Sequence, residues 1–399
     1  MKFRAFPFAA ALIAVALMTL VGSLHADETS VAQYSTPDAT YFSVAMTPEI
    51  EETTVASRDI VILVDTSASQ VGEFRDRAYE VLESTLDSLS PNDRVRIMAV
   101  DISAVPMTDS FVATDSPEIE DALYDLDDRA PLGATDMSIA LRAAYQALRT
   151  SEAESRAVLY IGDGMSNANI LASEEFGGML DSLYQQRTPV TTYAVGPQTD
   201  MMILAALAAQ TGGMLVGADE SDDIAATGIR LASALDATVL WPTAATPWPS
   251  EWTVYPNRLP PLRSDRETII AGQTLEPLSP NVMQIQADNG SIDQLFSFNV
   301  SPSVTSDDNS YLKQIVEMAE ATNGVALPLV DQYAAEAMQR NLSAGVIGTL
   351  ELATMALNRG ELDQAEILAQ RALEMQPSNM QAETVLQMVS TQQTQETVP

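Results

Sequence analysis

Ile60-Val61-Ile62-Leu63-Val64-Asp65-Thr66-Ser67-Ala68-Ser69 is the stretch that decides the fold class. An unbroken apolar run with no polar alternation is the pattern of a strand covered on both faces, as at the centre of a parallel sheet. The run ends on Asp65, so the loop after it lies beyond the carboxyl end of a strand, where open α/β sheets place their ligands. Alternate residues of an extended loop point the same way, which lets Asp65, Ser67 and Ser69 converge on one point. Asp and Ser are also good capping residues, and the same loop would then only cap the helix that follows at 72–89.

Working outward, Phe74, Ala78, Val81, Leu82, Thr85 and Leu89 recur at helical spacing. Further apolar runs at 95–100, 157–161 and 190–195 predict three more buried strands. Helical patterns at 117–127, 136–149, 173–186, 199–211 and 221–236 alternate with them. Alternating strands and helices predict a doubly wound, mostly parallel α/β sheet over 59–238. Asp163-Gly164 follows the third buried strand as Asp65 follows the first. Two carboxylates with several hydroxyls form a hard-ligand set for Mg²⁺, Mn²⁺ or Ca²⁺.

Composition narrows the chemistry. The 399-residue chain carries a net charge of −35, with only 20 Lys plus Arg, a balance that repels nucleic acid and anionic lipid. It has no cysteine, and its one histidine is His25. Residues 1–26 read as a secretory signal peptide, with Lys2 and Arg4 ahead of an apolar run and Leu24-His25-Ala26 as the cleavage site. An uncleaved membrane anchor is the alternative, and no later stretch predicts a transmembrane span. Once cleaved, the chain has neither His nor Cys. That excludes a Ser-His-Asp triad, a thiol nucleophile and the usual zinc, copper and haem ligation, so any bound metal sits among oxygens.

Three loops then fall in a telling order: Asp65-x-Ser67-x-Ser69, Gly133-Ala134-Thr135-Asp136 and Ile161-Gly162-Asp163-Gly164. In this order the chain resembles the von Willebrand factor type A (vWA) domain with its metal-ion-dependent adhesion site (MIDAS). Ala194-Val195-Gly196-Pro197-Gln198-Thr199-Asp200 and Gln210-Thr211-Gly212-Gly213 look like that family's late strand, helix and closing turn. The resemblance covers 59–238. It implies a metal site of Asp65, Ser67, Ser69, Thr135 and Asp163, with Asp136 orienting waters around it. It implies Mg²⁺, or Mn²⁺ or Ca²⁺, as the cofactor, and a protein partner that offers a Glu or Asp carboxylate to the ion.

The rest of the chain reads more weakly. Residues 27–58 are polar and predict an extended N-terminal segment, with Tyr41 to Met46 as an edge strand. Residues 239–305 predict a Pro/Trp-rich linker, holding Trp241, Trp248 and Trp252, and then a small antiparallel β-rich unit. Residues 306–390 predict a helical segment and 391–399 a disordered tail. Ala353, Gly360, Ala365, Ala372 and Pro377 stand near the spacing of one tetratricopeptide repeat (TPR), which 346–379 resembles. A single repeat cannot bury its own face.

The expected function is metal-dependent capture of an acidic side chain by an exported protein, periplasmic or at a bacterial cell surface. The alternative is a periplasmic scaffold or assembly factor for an envelope complex, acting through the TPR-like helices. No positioned base, phosphate loop or nucleophile motif accompanies the candidate site, so no enzyme is expected.

Overall fold

The computed structural model describes residues 27–50, 57–169, 171–218, 223–325, 327, 349–350, 352–375 and 379–396. The signal-peptide expectation lies outside these residues. Among the described residues no helix is long and apolar enough to cross a membrane.

The predicted α/β sheet is present. Strands β3 (Arg58–Asp65), β4 (Asp93–Val100), β7 (Ser155–Gly162), β8 (Val190–Ala194) and β9 (Leu215–Gly217) run parallel. The short β5 (Ala104–Pro106) and β6 (Val112–Ala113) pair antiparallel to β4, giving a seven-stranded sheet in the order β5-β4-β3-β7-β8-β9. Every residue of β3 is buried, as its unbroken apolar run predicts. Helices α1 (Glu73–Ser88), α2 (Pro117–Asp128) and α6 (Ile224–Asp236) pack on one face of the sheet. Helices α3 (Met137–Leu148), α4 (Ser173–Gln185) and α5 (Met201–Thr211) pack on the other. β3 lies between β4 and β7; α1 follows β3 on one face and α3 precedes β7 on the other, so the strand order reverses here and a crevice opens beyond the carboxyl ends.

The flanking segments differ from their sequence reading. Glu28–Ser35 forms β1 and Thr40–Thr47 forms β2; β2 is an interior strand, not an edge. They join β11 (Trp252–Tyr255) and β13 (Thr268–Thr274) in a sheet ordered β1-β2-β13-β11. A second sheet, β12-β10-β14-β15, is built from β10 (Val239–Ala245), β12 (Leu262–Arg263), β14 (Asn281–Asp288) and β15 (Asp293–Val300). Phe42, Val44 and Met46 from one sheet meet Ile285, Phe296 and Phe298 from the other, so the two sheets form a sandwich over a shared apolar core. The Trp/Pro stretch belongs to this sandwich: Trp252 is in its core, and Trp248 stacks on Trp252 at 5.9 Å. The α/β domain is therefore inserted between the second and third strands, in chain order, of the sandwich. Asp27, at one end of the chain segment, accepts the Ser297 N–H across 270 residues of sequence.

Helix α7 (Tyr311–Ala321) covers the outer face of the first sheet through Leu312, Ile315 and Val316. At the C-terminal end, a helical stretch at 352–358 packs with α8 (Leu362–Met375) and α9 (Met380–Glu396) around Ala353, Ala365, Ala369 and Val385. The helical character expected of this segment is present, while Pro377 and residues 346–348 lie outside the described set. α9 continues through 391–396, within the stretch 391–399 expected as a disordered tail; residues 397–399 lie outside the described set.

Candidate metal centre

Asp65 is the last residue of β3, and Asp163 follows directly on β7, the next strand in the sheet. The two carboxylates thus leave neighbouring strands at the same end. The helix-capping reading of the first loop does not hold: α1 begins after Gly72 with no side-chain cap, and Ser67 and Ser69 turn elsewhere. The Ser67 N–H donates to Asp65 Oδ1 at 2.9 Å, curling the loop back on its own carboxylate. Ser67 Oγ and Ser69 Oγ are 3.0 Å apart, and the Ser69 hydroxyl donates to Asp163 Oδ2 at 2.5 Å. The Thr135 hydroxyl lies 2.9 Å from both carboxylate oxygens of Asp65. All five side chains expected at the site therefore belong to one continuous hydrogen-bonded cluster.

Backbone links hold the three loops in this arrangement. Ala68 N–H donates to Gly133 O at 3.1 Å, and Leu132 N–H to Thr66 O at 3.2 Å, tying the Thr135 loop to the first. Asp200 N–H donates to Asp163 O at 2.8 Å. Asp136 caps α3: its Oδ1 accepts the Ser138 and Ile139 N–H groups at 3.0 and 3.1 Å. That cap fixes the turn on which Thr135 sits.

Four residues contribute in ways that escape the sequence reading. Tyr160, fully buried in β7, donates its hydroxyl to Asp65 Oδ2 at 2.9 Å and accepts the Gly164 N–H at 3.2 Å. Its phenol is pushed well above 10 by burial and by the neighbouring carboxylates, so it stays a donor. Gln70 is buried and donates to Val195 O at 3.0 Å, pinning the end of the first loop to the strand β8 exit. Gly162 and Gly196 leave room for the acids: a Cβ on Gly162 would lie 2.5 Å from Asp65 Cβ, and one on Gly196 2.7 Å from Asp163 Cβ. The glycines are visible in the sequence, but the approach that demands them is not.

The electrostatics of the cluster are those of paired acids out of water. Burial raises the Asp65 carboxyl above its usual range, and the Asp163 charge raises it further. Burial also raises Asp163, against the hydrogen bonds from Ser69 and the Met165 N–H. Among the described residues neither carboxylate pairs with a Lys or Arg; the nearby Arg129 is tied to Asp101 at 2.5 Å and to Thr66 Oγ1 at 3.1 Å. Also among the described residues, no three Asp, Glu, His or Cys side chains converge on one point, so the donor set here is two carboxylates and three hydroxyls. Oxygen-only donors, two of them anionic and mutually repelling, fit a hard divalent cation and no softer metal.

The family model of the von Willebrand factor type A domain matches residues 58–216. No curated protein matches the chain. A solved von Willebrand factor type A structure from Catenulispora acidiphila is similar, with 14% identity, 91% of this chain and 89% of that chain covered, and a TM-score of 0.49. The ArnB paralog VWA2 from Sulfolobus acidocaldarius is similar at 12% identity, with 92% and 93% covered and a TM-score of 0.43. An aerotolerance-related membrane protein from Bacteroides fragilis is 14% identical over 45% of this chain and 99% of its own, with a TM-score of 0.39. Residues 58–216, with their parallel sheet and two helical layers, thus form a von Willebrand factor type A domain.

Proposed function

We propose that this chain is an exported, non-enzymatic binding protein whose acidic cluster holds one hard divalent cation, Mg²⁺ before Mn²⁺ or Ca²⁺, and captures a carboxylate of a protein partner. Asp65, Ser67, Ser69, Thr135 and Asp163 would hold the ion, with Asp136 and Tyr160 behind them. The observation that carries this reading is the convergence of five oxygen-bearing side chains from three loops into one hydrogen-bonded cluster. A bound cation would supply an electrophilic centre for an incoming carboxylate. Two carboxylates balance its charge and the hydroxyls are neutral, so the site would not repel one more acid. Export rests on the leader-like residues 1–26, and the absence of Cys favours a bacterial periplasm or cell surface over an animal extracellular setting.

A second reading is favoured by one feature of the C-terminal helices. Leu352, Met355, Ile367, Met380 and Met388 stand exposed there, as expected of helices that contact something else. On that reading the chain is a scaffold or assembly factor for an envelope complex.

The test is retrieval of partners from an envelope extract by the full chain, with Mg²⁺ and with EDTA. Metal-dependent capture is expected to vanish with EDTA and in Asp65→Ala, and to survive truncation after residue 348. Capture that ignores EDTA and is lost on truncation supports the scaffold and overturns the adhesion reading.

A further inference from the structure

Four aliphatic side chains stand exposed beside the acidic cluster: Val71 at 49% and Leu132 at 69% on two of its loops, Ile102 at 62% in the loop between β4 and β5, and Ile139 at 37% in the first turn of α3. Each is tied to the cluster by a short path. The Val71 N–H donates to Ser69 O at 3.1 Å, and the Leu132 N–H donates to Thr66 O at 3.2 Å. Ile102 follows Asp101, whose carbonyl accepts the Asp136 N–H at 2.9 Å, and its Cγ2 lies 3.8 Å from where a Cβ on Gly133 would stand. The Ile139 N–H donates to Asp136 Oδ1 at 3.1 Å. None of the four belongs to either core cluster of the domain. Among the described residues of 58–236 only Tyr124 and Ile229 are other large apolar side chains with such exposure, and they sit on α2 and α6. The apolar surface of the domain is therefore gathered around its acidic centre.

Charge selects what this surface can accept. The chain carries −35, and Arg129, which donates to Thr66 on the first loop of the cluster, is already engaged by Asp101. A polyacidic partner is repelled at long range by this charge. A carboxylate reaches the centre only if it arrives alone, on a patch otherwise free of acids. The four aliphatic residues favour neighbours that are themselves apolar, because burying such area on both sides is the main attraction left.

We propose that this face docks a protein loop bearing one Asp or Glu flanked by large apolar side chains, and that Val71, Ile102, Leu132 and Ile139 set which carboxylate is accepted. The proposal rests on the reading of the acidic cluster as a cation site. Its test uses the full chain and three fluorescein-labelled synthetic peptides in Mg²⁺ buffer, read by anisotropy. One carries a Glu flanked by leucines, one a Glu flanked by serines, and one a Gln flanked by leucines. The leucine-flanked Glu peptide is expected to bind about tenfold or more tighter than the serine-flanked one. The Gln peptide is expected to bind no better in Mg²⁺ than in EDTA. The double variant Ile102→Ser/Leu132→Ser is expected to lose the leucine preference while its Mg²⁺ uptake by calorimetry stays that of the parent chain. Equal binding of the two Glu peptides, or a preference that survives in the double variant, overturns this proposal alone. Calorimetry that finds no Mg²⁺ uptake by the parent chain overturns the cation reading and this proposal with it.

Discussion

At the scale of single residues, the acidic cluster stores an unfavourable charge arrangement. Asp65 and Asp163 both have carboxyls raised by burial, and among the described residues neither pairs with a cationic side chain. With folded values above the unfolded ones, the folded chain binds protons more tightly. The metal-free stability contributed by these groups therefore falls as pH rises through the interval between the two. At neutral pH the pair is a cost that a divalent cation would remove. Asp163→Asn keeps an oxygen for the Met165 N–H and removes one charge. Its metal-free form is expected to melt higher than the parent chain, and its gain in melting temperature on adding Mg²⁺ is expected to vanish. Thr135→Val should behave oppositely: it strips Asp65 of a hydroxyl donor at 2.9 Å and lowers metal-free stability by about 1–2 kcal/mol. Thermal melts followed by circular dichroism, in EDTA and in Mg²⁺, check both. Identical Mg²⁺ responses in parent and variants would remove these residues from the site.

At the scale of elements, α6 lies across α1 so closely that Gly228 has no space for a side chain. A Cβ there would lie 2.2 Å from Ser84 Oγ and 2.7 Å from the Ser84 carbonyl carbon, a backbone atom that cannot move aside. Replacing a mid-helix glycine by alanine ordinarily stabilises by about 1 kcal/mol. Here overpacking of about 1–3 kcal/mol or more opposes it, so Gly228→Ala is expected to lower the urea midpoint, and a raised midpoint would show that the helices can separate. Nothing in the helical pattern of 221–236 announces that contact, which shows where local reading stops. The buried strands β3, β4 and β7 are legible because continuous apolar runs need no partner to be recognised. The first loop of the acidic cluster is legible because Asp65, Ser67 and Ser69 alternate directly after such a run. Strand β9, with three residues, is too short to show a period. β1 is a mostly polar edge strand whose exposed side hides its alternation, and β2 finds its partner β13 only across the whole inserted domain. Tyr160 reads as one more apolar strand residue until its hydroxyl is seen on Asp65.

At the scale of the whole molecule, the sandwich and the α/β domain are joined by more than the two chain crossings. Arg263 of β12 is fully buried. It donates to Gly212 O at 2.7 Å, beyond the end of α5, and to Ala234 O at 2.8 Å, in the last turn of α6. Its guanidinium also pairs with Asp265 through two hydrogen bonds of 2.7 Å. Arg266 donates to Gly213 O at 3.0 Å, and from the far side Gln210 donates to Gly324 O and Val325 O. One cation thus satisfies the terminal carbonyls of two helices in one domain while it is anchored to an acid in the other. Arg263→Met keeps much of the volume but leaves Asp265 and both carbonyls without their donor, a loss of about 3–5 kcal/mol. The loss falls on the joint, so it is expected to uncouple the domains as well as destabilise them. The three tryptophans, at 241, 248 and 252, make fluorescence a reporter of the sandwich, while far-ultraviolet dichroism at the helical band follows mainly the α/β domain. In urea the two signals should fall together for the parent chain and separate for Arg263→Met. Coincident transitions in the variant would mean that the remaining contacts suffice to unite the domains, and that Arg263 is only a buried ion pair.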